Sequence, residues 1–219
     1  YVGEREIHNG ADDNASGVSI MLNLAHSLKE ISDYNYLFIA FSGEEHGLFG
    51  SSFYAKNPTI NLKNVRFMIN LDMVGRLKKD MTLAINGIGT SDRWYDLINE
   101  SNEFDFKLKT TESGIGPSDH TSFYLQNIPS IHFFTGQHED YHKPSDDVNK
   151  INFKGMFTIH EYIKNIIEKS IEIEEFSFQE TKSDTNMTPN FTVTLGVMPD
   201  YLFDGKGMRI DGVSKGKTA

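Results

Sequence analysis

The run Tyr36-Leu37-Phe38-Ile39-Ala40-Phe41 narrows the possible folds of this chain more than any other segment. It is apolar throughout, too short for a typical helix, and ends at Ser42-Gly43. Such a run reads as a strand buried on both faces, as in sheets that carry helices on each side. The surrounding pattern agrees. From Ser16 to Glu30, Val18, Met21, Leu22, Ala25 and Leu28 follow the spacing of an amphipathic helix, with Ser16 as a candidate cap. Further on, the pattern predicts a helix over Leu48 to Ala55, strands over Val65 to Leu71 and Met81 to Ile85, and a helix over Arg93 to Ser101. A strand over Ser130 to Phe134 and a long amphipathic helix over Phe153 to Ile173 complete the alternation. Strands alternating with helices predict an α/β fold, a three-layer sandwich with a mostly parallel central sheet flanked by helices.

Composition changes after Glu175. The stretch 177–190 is polar and reads as a linker, and 191–219, with the alternating Phe191 to Leu195, reads as part of a β-rich module too short for a core of its own. Residues 1–176 then form the main domain. The opening Tyr1-Val2-Gly3-Glu4 has no initiator Met, basic region or apolar segment, so a signal peptide is expected to be either absent or already removed, and the chain reads as an excerpt. Acidic residues outnumber basic ones 31 to 21, and a net charge of −10 argues against nucleic acid as a partner. No run approaches the roughly 18 apolar residues of a membrane span. With Cys at 0, disulfides, thiolate metal sites and cysteine nucleophiles are excluded, so any metal must be held by His, Asp and Glu.

Acids and histidines gather in four segments: Gly10 to Gly17, Ser42 to Gly47, Asn70 to Gly75, and Asp140 to Asp147. Several of them lie where a predicted strand runs into a loop, the usual place for a site in an open α/β sheet. Each segment alone is weak, because most isolated acids are solvated surface groups. Glu44-Glu45 stands apart, since it directly follows the apolar run. Two adjacent carboxylates there would repel and lose solvent unless a cation were present. One could bind the metal while the other takes the proton from a water made acidic by it. Asp72 ends the predicted strand at 65–71 and needs a partner for its charge. His142 offers an imidazole in a polar loop, and His46 is a second candidate ligand, more readily a supporting or surface group. His26 and His160 lie within amphipathic helices and read as ordinary helix histidines.

Taken in order, Gly10-Ala11-Asp12-Asp13-Asn14-Ala15-Ser16-Gly17, then Phe41-Ser42-Gly43-Glu44-Glu45-His46-Gly47, then Asn70-Leu71-Asp72-Met73-Val74-Gly75-Arg76, then Ser118-Asp119-His120, then Tyr141-His142-Lys143-Pro144-Ser145-Asp146, resemble the two-zinc aminopeptidase family. That family also holds glutamate carboxypeptidase II, the transferrin receptor and glutaminyl cyclases. The resemblance implies a metallo-aminopeptidase in which Asp13 bridges two zinc ions, Glu45 and His142 complete one and Asp72 binds the other. It implies Glu44 as general base, with Tyr141 and Ser118 near the substrate, and peptides with a free N-terminus as partners. The family's further histidine, from an upstream His-x-Asp motif, has no counterpart here, where only His8 precedes Asp13. The expectation is therefore a peptidase domain incomplete at its N-terminus, with one zinc held tightly rather than two. Glutaminyl cyclisation and a non-catalytic ectodomain are the alternatives. An extracellular or periplasmic location is implied by the family alone, and the oligomeric state is left open. Residues 191–219 resemble the opening strands of a PDZ domain.

Overall fold

The computed structural model describes residues 6–31 and 33–181, the backbone of 197–199 and 210–213, and Gly207. Its helices are α1 (Ala15–Ser27), α2 (Phe49–Lys56), α3 (Trp94–Glu100), α4 (His120–Tyr124) and α5 (Phe153–Ser170). Its strands are β1 (Met68–Leu71), β2 (Thr82–Asn86), β3 (Lys107–Thr111), β4 (Ser130–Phe134), β5 (Val197–Pro199) and β6 (Ile210–Val213). The main sheet runs β1-β4-β2-β3. β1 lies parallel to β4 and β2 parallel to β3, while β2 and β4 are antiparallel, so the α/β sandwich has a mixed sheet.

Period-two alternation sorts the side chains between the two faces. On one face Leu83 and Ile85 of β2 and Ile131 and Phe133 of β4 pack against α1, α3 and α5, through Ile20, Leu24, Trp94, Ile98, Ile159 and Ile163. The other face carries α4 and α2, which are joined by Ser51 Oγ and Ser122 Oγ at 2.8 Å. There His132 of β4 stacks on His120 of α4, with ring centroids 4.9 Å apart. Residues of this second face are more polar, and the site is built beside them. β5 and β6 form a separate antiparallel pair. Among the described residues no helix is long and apolar enough to cross a membrane.

Several boundaries move. Asn14, not Ser16, caps α1, accepting from the Gly17 amide at 3.2 Å. Ser16 is one step inside the helix and its hydroxyl bonds back to the Asp12 carbonyl at 2.7 Å. The predicted strand at 65–71 is confined to Met68–Leu71, and Ser130–Phe134 is found as expected. β3 and the short α4 were not expected. The largest departure is Tyr36 to Phe41, which is not part of a sheet. Leu37 and Phe38 are 53% and 38% exposed, so the run is not buried on both faces. A strand needs a hydrogen-bonded neighbour, and this one has none among the described residues. It lines a largely apolar cleft of about 1130 Å³ together with residues of β1, whose outer edge is likewise unpaired there. Phe191 to Leu195 lies outside the described residues.

The core makes a simple prediction. Ile163, fully buried between helices and sheet, should cost about 2–5 kcal/mol on truncation to Ala, whereas Leu22→Ala, at 63% exposure, should stay within about 0.5 kcal/mol. Urea unfolding followed by the fluorescence of Trp94, the 1 tryptophan in the chain, measures both.

Candidate metal centre

Each candidate side chain is placed by a break in regular structure. Asp13 immediately precedes the Asn14 cap of α1. Asn14 also joins that helix to the end of β1, donating from Nδ2 to the Leu71 carbonyl at 2.8 Å and accepting from the Met73 amide at 3.2 Å. The helix passes so close that a Cβ at Gly17 would lie 2.5 Å from the Leu71 carbonyl oxygen. Glu44 and Glu45 occupy one turn of 3-10 helix between Gly43 at φ 70° and Gly47 at φ 106°, left-handed values that glycine adopts without strain. Asp72 follows the last residue of β1. His142 lies in the loop beyond β4 and has φ 56°.

These segments bring Asp13, Glu45 and His142 together, with one ligand atom from each inside a 4.8 Å set. His142 Nε2 is 3.2 Å from Asp13 Oδ2 and 2.8 Å from Glu45 Oε1. Four-coordinate zinc with bonds of about 2.0–2.2 Å sets neighbouring ligand atoms about 3.3–3.6 Å apart. Two carboxylates and an imidazole at this spacing fit such an ion with small adjustments. Asp72 stands beside the set rather than in it. Its Oδ2 accepts from Ser118 Oγ at 2.8 Å, and that hydroxyl accepts in turn from Asn70 Nδ2 at 2.7 Å. Ser118 is buried and its hydroxyl is turned toward Asp72. Tyr141 stacks on the His142 ring, with centroids 3.7 Å apart.

The electrostatics follow from crowding. Burial, and then the charges of Asp72, Glu45, Asp119 and Asp13, push Glu44 up to about 8. Among the described residues no hydrogen-bond donor counters them. Burial raises Asp72 to about 7 despite the Ser118 hydroxyl. Hydrogen bonds to Asp13 and Glu45 lift His142 to about 10, so without a metal an imidazolium bridges the two acids. His46 is exposed beside Phe49. His160 is satisfied by Ser27 and Glu161, as the sequence reading expected.

Residues 2–167 match the profile of peptidase family M28. The chain belongs to that family. Over 154 residues it is 37% identical to aminopeptidase YwaD of Bacillus subtilis strain 168, an alignment that takes in 65% of this chain and 34% of that protein. It superposes with a TM-score of 0.66 on BSAP, a zinc aminopeptidase from Bacillus subtilis, at 32% identity over 74% of this chain and 43% of BSAP. An aminopeptidase from Aneurinibacillus sp. strain AM-1 gives 0.63 at 29% identity, over 80% of this chain and 43% of that one. The chain thus spans between a third and a half of the length of these relatives.

Some residues that shape the site had no role in the sequence reading. Asp12, Arg76, His138 and Asp146 form a network beneath Asp13, in which His138 Nε2 meets Asp12 Oδ2 at 3.0 Å and Arg76 Nη2 donates to Asp146 Oδ1 at 3.0 Å. All but His138 lie inside the quoted motifs, so the signal was present but not separable from surface charge. Of the apolar residues of β4, Ile131 and Phe133 belong to the main core, while Phe134 packs with Met73, Ala84 and Tyr141.

The shifts fix how the metal-free chain responds to pH. Asp72 and Glu44, with ordinary values of 3.8 and 4.5, hold protons in the folded state to about 7 and 8 that the unfolded chain has already released. His142 holds its proton to about 10, against 6.5 unfolded. In each of these three the folded state binds more protons, whereas His120 and His132, kept neutral by burial, oppose the two acids below 6.5, so the net fall in stability lies between about 6.5 and 10. The His142 contribution is intact below 6.5 and lost through 10, and the penalty from the two acids grows between about 4 and 8. Urea midpoints of the metal-free chain from about pH 6.5 to 10 should show the decline. Added zinc should reverse it with release of protons to the buffer, since a ligating imidazole must be neutral.

Proposed function

We propose that this chain carries the catalytic site of a zinc exopeptidase that hydrolyses the N-terminal bond of peptides. The observation that carries this reading is a three-donor set beside a carboxyl, Glu44, that receives no hydrogen bond from the described residues. Asp13, Glu45 and His142 would hold the zinc, which when bound supplies a Lewis acid that acidifies water and polarises a carbonyl. Glu44 takes a proton from the water whose oxygen bonds to the scissile carbonyl carbon. As the carbon–nitrogen bond breaks, Glu44 returns that proton to the departing amine. A nearby cation favours the ionised form of Glu44, so its raised value in the metal-free chain falls to where it works as a base near neutral pH. Tyr141 keeps its proton, because burial and the surrounding acids push its phenol far up, and it is available as a hydrogen-bond donor to substrate. The excess of carboxylates suits a substrate that presents a free ammonium. The names of the aminopeptidase relatives support the same reaction class.

Two further elements belong to this proposal. The second metal position of the family reading falls to Asp72, whose carboxyl is held by Ser118 and lies outside the three-donor set. The antiparallel pairing of β5 and β6 is compatible with a PDZ-like module after residue 190, and secretion is proposed from the resemblance.

Glu44→Gln keeps the size and loses the base. Turnover of an aminoacyl arylamide should drop by roughly 10² to 10⁴ with zinc content unchanged, and acetylation of the substrate amine should abolish the reaction. An unchanged rate removes Glu44 from the mechanism. Ring closure of an N-terminal Gln in place of amine release would assign a cyclase, and zinc binding without either reaction a scaffold.

The donor count predicts stoichiometry. Three protein groups bind one ion tightly, whereas Asp72 with a share of Asp13 offers carboxylates without a nitrogen. Titrating the metal-free chain should give one tight equivalent of zinc. Two would bring in another ligand, with His8 first to be substituted.

A further inference from the structure

Beneath the proposed metal ligands, one buried carboxylate is tied to each of the segments that deliver Asp13, Asp72 and His142. Asp146 is 1% exposed. Its Oδ2 accepts from the backbone amides of Asp12 at 2.8 Å and Asp13 at 3.0 Å. Its Oδ1 accepts from Arg76 Nη2 at 3.0 Å, four residues after Asp72. Its own amide donates to the Lys143 carbonyl at 3.1 Å, and its carbonyl accepts from the Ala11 amide at 3.1 Å. The turn bearing Asp13 and the loop bearing His142 are thus joined through one residue that touches neither ligand's side chain.

Other contacts brace the same residue. Arg76 Nη2 also reaches Asp140 Oδ2 at 3.3 Å, and Asp140 is held by Ser145 Oγ at 2.7 Å and by Lys150. Asp12 accepts from the Gly75 amide at 2.6 Å, tying the first turn to the segment after β1 a second time. Asp140 shares the loop, the burial and the arginine with Asp146, but among the described residues it makes no hydrogen bond to residues 11–13 and reaches Asp12 only through His138, whose Nδ1 is 4.0 Å from Asp140 Oδ2.

We propose that Asp146 is the positioning residue that sets Asp13 against His142, and that it determines how tightly the chain holds its metal. The proposal rests on Asp13, Glu45 and His142 being the metal donors. An ion held by these three groups binds tightly only if their spacing exists before it arrives, because any reorganisation is subtracted from affinity. Groups that orient metal ligands typically change affinity by about 10- to 100-fold when removed. Asp146 acts on the ligand backbone rather than on the ligand atom. Its two oxygens face donors on both sides, so an amide cannot replace it. Whichever way an asparagine turned, its NH2 would meet either Arg76 or the amides of Asp12 and Asp13.

The test compares Asp146→Asn with Asp140→Asn in the full 219-residue chain. Zinc affinity is measured on metal-free protein by competition with a chromophoric chelator, and the visible spectrum of the Co²⁺-loaded chain reports ligand geometry. Far-UV circular dichroism and urea midpoints report folding. D146N should bind zinc about 10- to 100-fold more weakly and alter the Co²⁺ bands, while D140N lowers the urea midpoint and changes zinc affinity by less than about threefold. Equal losses in the two variants, or an unchanged affinity in D146N, would overturn the proposal. Should D146N not fold without metal, hydrogen exchange in the parent chain decides. The Asp12 and Asp13 amides should be protected before zinc is added, and free exchange of both would overturn the proposal. Failure of the donor assignment itself would look different, as a parent chain that binds no zinc tightly.

Discussion

Carboxyls that would separate in water are held together here, and the rest of the site is arranged around that repulsion. Asp13, Glu44, Glu45, Asp72 and Asp119 act on one another through their charges, and His142 is the basic group placed among the ligand atoms. Without a metal Glu44 and Asp72 keep their protons to higher pH, while the bond to His142 favours the charged form of Glu45. The imidazolium bridges Asp13 and Glu45, Ser118 serves Asp72, and Glu44 is left with neighbours of its own sign. What makes Glu44 costly to fold is what suits it to be a base. A group already saturated with donors could accept no proton from a water.

Holding such a set requires backbone that cannot drift, and the fold supplies it where strands end and α1 begins. The Asn14 side chain caps the helix and grips the end of β1 at once, so the turn bearing Asp13 is tied to the segment bearing Asp72. Gly17 allows the helix to approach that closely. The acid pair at 44–45 lies farther from this support, on a single turn between two left-handed glycines. Its placement depends more on the contacts of Glu45 with His142 than on regular structure.

Much of this was legible in the sequence, and what was not has a common cause. β4 and α5 were readable because their apolar patterns coincide with burial in the main core. Tyr36 to Phe41 has the stronger strand pattern but forms no strand, since pairing depends on a neighbour and not on the run itself. β3, as Lys107-Leu108-Lys109-Thr110-Thr111, is a mostly exposed edge strand whose polar residues hide it. The ligand candidates were legible through motif order, which made Asp13, Glu45 and His142 nameable. Asp146 and Arg76 were not, because a buried, fully bonded charge is written with the same letters as a surface one.

The doubled acids carry this point furthest. Asp12-Asp13, Glu44-Glu45 and Asp146-Asp147 are alike in sequence, yet the members of each pair differ in what surrounds their oxygens. Asp12 accepts from the Gly75 amide and meets His138, whereas Asp13 turns its carboxylate to His142. Asp146 accepts from the amides of two residues and from Arg76, whereas Asp147 reaches Asn9 Nδ2 at the surface. Glu45 meets His142, and Glu44 meets no donor among the described residues. An acid whose lone pairs are filled by N–H groups is built into the frame and cannot ligate. An acid whose partner is one exchangeable proton can give it up to a cation, and an acid with no partner can take a proton from a substrate water. Each pair therefore puts unlike roles on neighbouring residues, and the number of donors facing each oxygen is what separates them.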